Sequence, residues 1–547
     1  MVMNNRAAKS LTISRLIVAF LVLLAFAWRI QDLSRQSLWR DEIDTIFFAT
    51  TDLPALLSMF TNIGHNGALY FLLMRPWFRL IGSSEFALRY PSVLFGVLSV
   101  PLFWQVGRKL MPVSGDRQFA GSTDENDSGS LQQYSRLLLQ VIFSSTALLA
   151  TIFLVFNPYL IWYSQEGRMY ALVILLALLA AWFWLEGIDR GGWRPWLGYF
   201  LTVTTAILVH RLTLLLIPLG LLWFVLARPQ SKHYWRGYLL AVAALTIPYL
   251  PVAWQLRNVL KTPDRFTGLD FIPLPQTIAS LLTYQSQGVY PQAATISLLP
   301  IFLVGTAGLF WGFKAIWPKP DGPLPYLSAL RRHLLIAGWL VLPVTIVYLV
   351  SLRQPLFLPR YLIWTTPATM MLIALGIGLI RRRGSPFARS LAAALVLYVV
   401  VFWTISGLQA NSQDIKTDLR GAINYVSRHR RADDLLILQI PHLEFAYRYY
   451  TGDQGPFPFE GSDDRLGWWA GGLWTNNELS VEDAGREVNR EMHELTAGAE
   501  DIWIIWSESE TWDSRRLMDK WFAQNARLID QVNFSGARVT GYRLNTP

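Results

Sequence analysis

The sequence predicts a polytopic α-helical membrane protein with a small α/β domain at its C-terminal end. Three observations predict it. Only 16% of the 547 residues are charged while 52% are hydrophobic, against about a quarter charged in an ordinary soluble domain. Apolar runs near the length that a bilayer demands, about 20 residues, recur as far as residue 407. Beyond residue 410 the period changes, and short apolar runs alternate with amphipathic stretches.

The apolar runs place spans near 11–30, 85–106, 137–156, 169–186, 195–209, 212–227, 237–255, 295–313, 334–352, 361–380 and 388–407, about eleven by the length rule. The first, Leu16 to Trp28 behind Arg6, Lys9 and Arg15, resembles a signal peptide. No small-x-small cleavage site precedes Arg29-Ile30-Gln31-Asp32, so an uncleaved span is expected. Trp196 to Ala227 is one apolar stretch broken by His210-Arg211. Both its flanks are basic, with Arg190 and Arg194 before it and Arg228, Lys232 and Arg236 after it. Two crossings satisfy both flanks, with His210 and Arg211 at the outer turn.

Charge then orients the bundle. Basic residues gather in alternate loops: Arg108, Lys109 and Arg117; Arg190 and Arg194; Lys232 and Arg236; Lys314, Lys319, Arg331 and Arg332; Arg381 to Arg383 and Arg389. With these inside, the N-terminus is cytoplasmic. The segment 31–84, the loops around 157–168, 255–292 and 353–360, and everything after residue 410 then lie outside, in a plasma (inner) membrane. The 24 Trp and 21 Tyr suit interfacial belts, and the absence of Cys excludes disulfides and thiolate metal sites. Net charge is +10, yet residues 411–547 hold 22 Asp and Glu against 15 Lys and Arg. The positive surplus therefore serves topology, and no nucleic-acid partner is expected.

The outer segment 31–84 reads as a polar loop followed by two short amphipathic helices, Leu53 to Phe60 and Gly67 to Ile81. The inner loop 113–134 is a polar, low-complexity linker. After residue 410, Leu419, Ile423 and Val426 suggest a helix, and Leu435 to Leu438 and Ile502 to Trp506 suggest buried strands. Helical patterns follow at 481–496 and 511–526. The expected domains are thus 1–410 in the membrane and 411–547 as an α/β accessory domain, without a phosphate-cradling glycine motif or a serine elbow.

The stretch Ser37-Leu38-Trp39-Arg40-Asp41-Glu42-Ile43-Asp44 puts three acids just outside the first span, where charge is costly and usually functional. Asp41 is the expected catalytic base. Other polar motifs share its side and depth: His65-Asn66-Gly67, Arg89-Tyr90-Pro91-Ser92, Tyr163 to Tyr170 with Glu166 and Arg168, His210-Arg211, and Pro359-Arg360-Tyr361. Taken singly, Arg89 and Arg360 could snorkel at helix ends, and Glu166 with Arg168 could be a structural ion pair. Together, guanidinium groups, carboxylates and tyrosine hydroxyls suit a donor bearing a lipid phosphate. Asp41, Glu42, Glu166 and His65 would make a divalent-metal site only if they converge.

Ser-Leu-Trp-Arg-Asp-Glu at 37–42 resembles the first-loop signature of the glycosyltransferase family 39-like membrane enzymes, which include protein O-mannosyltransferases and the aminoarabinose transferase of lipid A. Ser84 to Ser92, Trp162 to Tyr170 and Pro359 to Leu362 extend the resemblance over about residues 10–410. It implies the C-type glycosyltransferase fold, a polyprenyl-phosphate-linked sugar as donor, and an outer-face acceptor that is a lipid, glycan or protein. It also implies Asp41 as the base, with Glu42 and Glu166 beside it in the catalytic set. Arg89, Arg168 and Arg360 become candidates for the donor phosphate, with Tyr170, Tyr361, His65 and His210 lining the substrate site. The family commonly has His-Pro-Pro where this chain has His65-Asn66-Gly67, which removes rigidity at that helix start. The rival classes are a lipid or glycolipid transporter or flippase and a non-catalytic assembly protein. A transporter often carries internal repeats with broken helices in matching positions, and the sequence shows no such duplication.

Overall fold

The computed structural model describes residues 2–60, 66–112, 141–143, 145–227, 232–246, 269–291, 295–316, 327–440, 443–452, 466–468 and 479–545. His65, the linker 113–134 and residues 255–268 of the outer loop lie outside these ranges.

Among the described residues, seven helices are long and apolar enough to cross a membrane: Leu11–Arg29, Glu85–Leu110, Tyr170–Arg190, Ile296–Ala315, Ala329–Ser351, Pro359–Arg381 and Pro386–Ser412. The pair Thr146–Phe156 and Pro158–Ser164, bent by 56°, would make an eighth if it crosses as one. The chain is an integral membrane protein. Where three further spans are expected stand shorter helices: Trp193–Val209, Arg211–Ala227 and Lys232–Thr246.

The chain divides into two compact units. The first comprises Met1–Gln31, Leu57–Tyr70 and Arg89–Ala410; the second comprises Asp32–Leu56, Phe71–Leu88 and Asn411–Pro547. Two stretches of the first outer segment thus group with the C-terminal residues.

In the first unit, two helices meet backbone to backbone. A Cβ on Gly308 would run into the Leu372 carbonyl, and one on Gly376 into that of Val304. Small residues permit such close approach between spans, where packing rather than hydrophobicity drives association. The bend at Asn157 has a local cause. Pro158 brings no N–H, so the last carbonyls of Thr146–Phe156 lose helical donors. Arg29, 1% exposed, supplies replacements by donating both terminal nitrogens to the Val155 carbonyl at 3.4 Å and its Nε to Ser164 Oγ at 3.3 Å. Asn157 caps the next helix, its Oδ1 accepting from Leu160 N at 3.1 Å.

The loop expected over 255–292 holds a helix, Leu274–Gln287, started by Pro275 near its first turn. Its Leu281 packs against Val347, Phe357 and Leu362. Gln285 is buried and fully engaged: Asn157 Nδ2 donates to its carbonyl at 2.7 Å, Thr369 Oγ1 donates to its Oε1 at 2.7 Å, and its Nε2 donates to Thr365 Oγ1 at 3.2 Å. A buried polar network of this kind fixes one arrangement of the helices that share it.

The second unit is built on a five-stranded sheet ordered β2-β1-β3-β5-β4, with β1 at Leu435–Leu438, β2 at Leu466–Trp468, β3 at Asp501–Ser507, β4 at Ala526–Phe534 and β5 at Ala537–Leu544. β1 runs parallel to β2 and β3, whereas β5 is antiparallel to β3 and β4. β1 and β3 are buried along their whole length, as strands covered on both faces are. Helices Val481–Leu495 and Leu517–Asn525 cover them through Val488, Met492, Met518, Trp521 and Phe522. The β4–β5 hairpin turns at Ser535-Gly536, where Gly536 has a φ of 64°.

Residues 37–44 were expected in a loop, but a helix runs over Arg40–Thr50. No proline or glycine interrupts that stretch. Ile43, Ile46 and Phe47 form a buried face, and Phe47 stacks on Phe445 at 4.0 Å between ring centroids. Asp41 and Glu42 occupy the first turn, where the helix dipole favours negative charge.

Candidate functional site

Each unit holds part of the residue set that the sequence singles out. In the second unit, Glu42 is completely buried and pairs with Lys416 Nζ at 2.9 Å. A buried carboxylate needs such a partner, and the lysine supplies it. Asp41, one residue earlier, is only half-buried. Ser37 Oγ donates to the Thr417 carbonyl at 2.7 Å and accepts from Leu419 N at 3.1 Å, which ties the approach to this helix turn. The result is one fully buried acid and one half-buried acid, side by side at a helix N-terminus.

In the first unit, the turn between Ser164 and Tyr170 carries Glu166 and Arg168. Glu166 is 1% exposed. Arg168 N donates to the Glu166 carbonyl at 2.8 Å, and Ser92 Oγ donates to the Arg168 carbonyl at 3.2 Å. Arg89, 2% exposed, precedes Ser92 by three residues on the same helix and so shares its face. Gln165 Nε2 donates to the Gln31 carbonyl at 3.0 Å. The Glu166–Arg168 turn is therefore held from two sides.

A relay of aromatic rings leads from this turn to the other arginine. Ring centroids are 5.0 Å apart for Tyr159 and Tyr163, 5.0 Å for Tyr163 and Tyr170, 6.1 Å for Tyr170 and His210, and 5.1 Å for His210 and Tyr361. Arg360 lies 5.9 Å from the Tyr361 ring. His210 sits at the break between Trp193–Val209 and the 3-10 turn Arg211–Leu215, and Asn66 Oδ1 accepts from Arg211 N at 3.2 Å there. His210 is 1% exposed, and among the described residues neither ring nitrogen has a hydrogen-bond partner. Burial first, then the positive charges of Arg168 and Arg360, lower its pKa to about 3. The imidazole is thus neutral at physiological pH. A buried polar ring without bonds is costly in a purely structural role.

This arrangement can do definite chemistry. Two guanidinium groups near one neutral imidazole and several phenols are the groups that can grip a phosphate, with Glu166 beside them. Two crystal structures provide the wider setting. ArnT from Cupriavidus metallidurans bound to undecaprenyl phosphate superposes with a TM-score of 0.50 at 12% sequence identity, over 96% of this chain and 97% of that one. Its apo form gives 0.52 at 12% identity, over 98% of both chains. This chain has the C-type glycosyltransferase fold. A mutant of the arabinofuranosyltransferase AftD from mycobacteria aligns with a TM-score of 0.48 and 13% identity, over 98% of this chain and 41% of that one. No protein-family profile and no curated protein sequence matches the chain.

Within this C-type fold, the structure gathers Arg89, Glu166, Arg168, Tyr170, His210, Arg360 and Tyr361 in the first unit, and Asp41 and Glu42 in the second. Among the described residues no group of three or more His, Asp or Glu side chains could hold a metal ion. Several participants were not read from the sequence. Lys416 gave no signal because its partner lies 374 positions away (416 against 42). Tyr159 and the Gln285 network carried a faint one, since polar side chains inside apolar stretches are expensive and need partners.

Proposed function

We propose that this chain is an inverting glycosyltransferase that moves a sugar from a polyprenyl-phosphate-linked donor to an acceptor on the extracytoplasmic face of the membrane. The observation that carries the reading is the cluster of Arg168, His210, Arg360, Tyr170 and Tyr361 within a C-type fold that extends over nearly all residues. ArnT holds undecaprenyl phosphate, a lipid of the class invoked here.

In this mechanism, Asp41 takes the proton of an acceptor hydroxyl. The oxygen attacks the anomeric carbon as the bond to the polyprenyl phosphate breaks, in one displacement that inverts the centre. Negative charge builds on the departing phosphate oxygen, and Arg168 and Arg360, assisted by Arg89, stabilise it. Glu42, paired with Lys416, holds the helix turn that presents Asp41. Glu166 positions Arg168 within its turn. A neutral His210 can donate one hydrogen bond to a phosphate oxygen without repelling the arginines.

The test is transfer from a synthetic polyprenyl-phosphate sugar by purified protein in detergent, where transport has no meaning. Asp41→Asn should cut the transfer rate at least a hundredfold, the usual scale of general base catalysis (about 10²–10⁴), while insertion and thermal stability stay at wild-type values. Near-normal transfer by this variant would remove Asp41 from the chemistry.

A further inference from the structure

We propose that the second unit carries a separate binding site for a phosphate-bearing headgroup, gripped by Arg75 and Arg79. The site is a cavity of about 690 Å³ whose lining residues all belong to that unit. None of the residues assigned above to sugar transfer lines it. The proposal therefore does not rest on the glycosyltransferase reading.

The charges facing the cavity do not cancel. It is lined by three arginines, Arg75, Arg79 and Arg420, and by one acid, Glu85. Glu85 is already answered: Arg420 Nη1 pairs with its Oε2 at 2.8 Å, and the Tyr450 hydroxyl donates to its Oε1 at 2.8 Å. Arg420 is further committed, its Nη2 donating to the Arg35 carbonyl at 2.6 Å. That pair is neutral and fixed, which leaves Arg75 and Arg79.

Arg75 uses Nη1 to close the end of the Arg40–Thr50 helix, donating to the carbonyls of Ala49 (3.2 Å) and Thr51. A guanidinium carries five N–H donors in a fork, so Nη2 and Nε stay outside those two bonds. Arg79 is exposed, and among the described residues it pairs with no acid. The two arginines are four residues apart on the helix Ala68–Ile81, hence one above the other on a single face. Like charges in that register repel, and a shared oxyanion removes the repulsion while accepting from both forks.

The chemistry beside the cavity says what carries the oxyanion. The same helix ends in Leu80 and Ile81, which are 83% and 55% exposed, and Phe86 follows at 43%. Large apolar side chains flanking a pair of arginines form the pattern of a helix lying in a lipid interface. The ligand that fits is an anionic amphiphile: a phosphate between Arg75 and Arg79, with acyl tails over Leu80, Ile81 and Phe86.

The experiment uses the full-length protein, purified with mixed phosphatidylglycerol and phosphatidylcholine, and reads the retained lipid by native mass spectrometry. The expected result is selective retention of phosphatidylglycerol, reduced about tenfold in Arg79→Glu, the scale of a lost charge-assisted hydrogen bond. Arg75→Gln, which keeps an amide donor for the two carbonyls, should lower retention in the same direction at an unchanged unfolding temperature. Displacement of the lipid by millimolar glycerol 3-phosphate would assign the site to the phosphate alone; resistance to it would assign the site to the whole lipid, and either result supports the pocket. Equal retention of the two lipids, or wild-type retention by both variants, would overturn the proposal.

Discussion

His210 shows most directly how a single residue reports on its surroundings. A histidine and an arginine inside a long apolar stretch stand out in the sequence, and the helix does break there, because the His210 N–H still bonds back to Ala206 while its own backbone turns extended. What the sequence withholds is which rings close around the imidazole, since Tyr170 and Tyr361 are 40 and 151 positions away (210 against 170 and 361). Those neighbours lead to a pH prediction. The folded pKa is about 3, and an unfolded histidine titrates near 6.5. Between these values the unfolded protein binds a proton that the folded one refuses. Stability is therefore fully present above about pH 6.5 and falls as pH drops towards 3, by up to about 1.4 kcal/mol per pH unit for one group. Unfolding midpoints in detergent at pH 7.5 and pH 5 should differ more in wild type than in His210→Gln. Identical pH dependence in the two proteins would mean that the imidazole charges freely in the folded state.

At the scale of elements, the sequence revealed where helices are and little of how they meet. Apolar length identifies a span, but every lipid-facing helix looks apolar, so the pairing between Leu299–Trp311 and Thr366–Arg381 had no visible signature beyond its glycines. The structure makes Gly308 and Gly376 indispensable to that pair. Gly308→Ala and Gly376→Ala must each push a methyl group into a facing carbonyl, a main-chain atom that cannot rotate away. Each should cost about 1–3 kcal/mol, the range for overpacking. Gly305→Ala, on the same helix, is the internal control, because its added carbon would meet only the Ile373 side chain at 3.7 Å, an ordinary contact. Thermal unfolding that ranks the three variants equally would contradict the close approach. The strands teach the same lesson from the other side. β1 and β3 were legible because both faces are buried and their sequences are unbroken apolar runs. β4 escaped because it is largely exposed and its residues mix apolar and polar types, leaving only the Ser535-Gly536 turn as a cue.

For the whole molecule, the sequence suggests a membrane body followed by an appendage, and the division into units changes what removal of that appendage would do. Residues 32–56 and 71–88 belong to the same compact unit as 411–547. Truncation after Ala410 would therefore take Lys416 from a carboxylate with no exposure, Phe445 from the face of Phe47, and the Tyr450 hydroxyl from both Leu38 N and Glu85. A buried charge stripped of its partner costs about 3–5 kcal/mol, more than a helix of eleven residues holds by itself. The truncated protein should still insert, through spans that the deletion leaves untouched, yet be cut by protease within residues 32–56 where the intact protein resists. Lys416→Met isolates the central contact: it should unfold this unit more easily, and adding Glu42→Gln should recover much of the loss, because a neutral amide no longer needs the lysine. If the truncated protein protects residues 32–56 as well as the full-length protein does, the helix that presents Asp41 owes its shape to nothing beyond residue 410, and the C-terminal residues return to the role of an optional attachment.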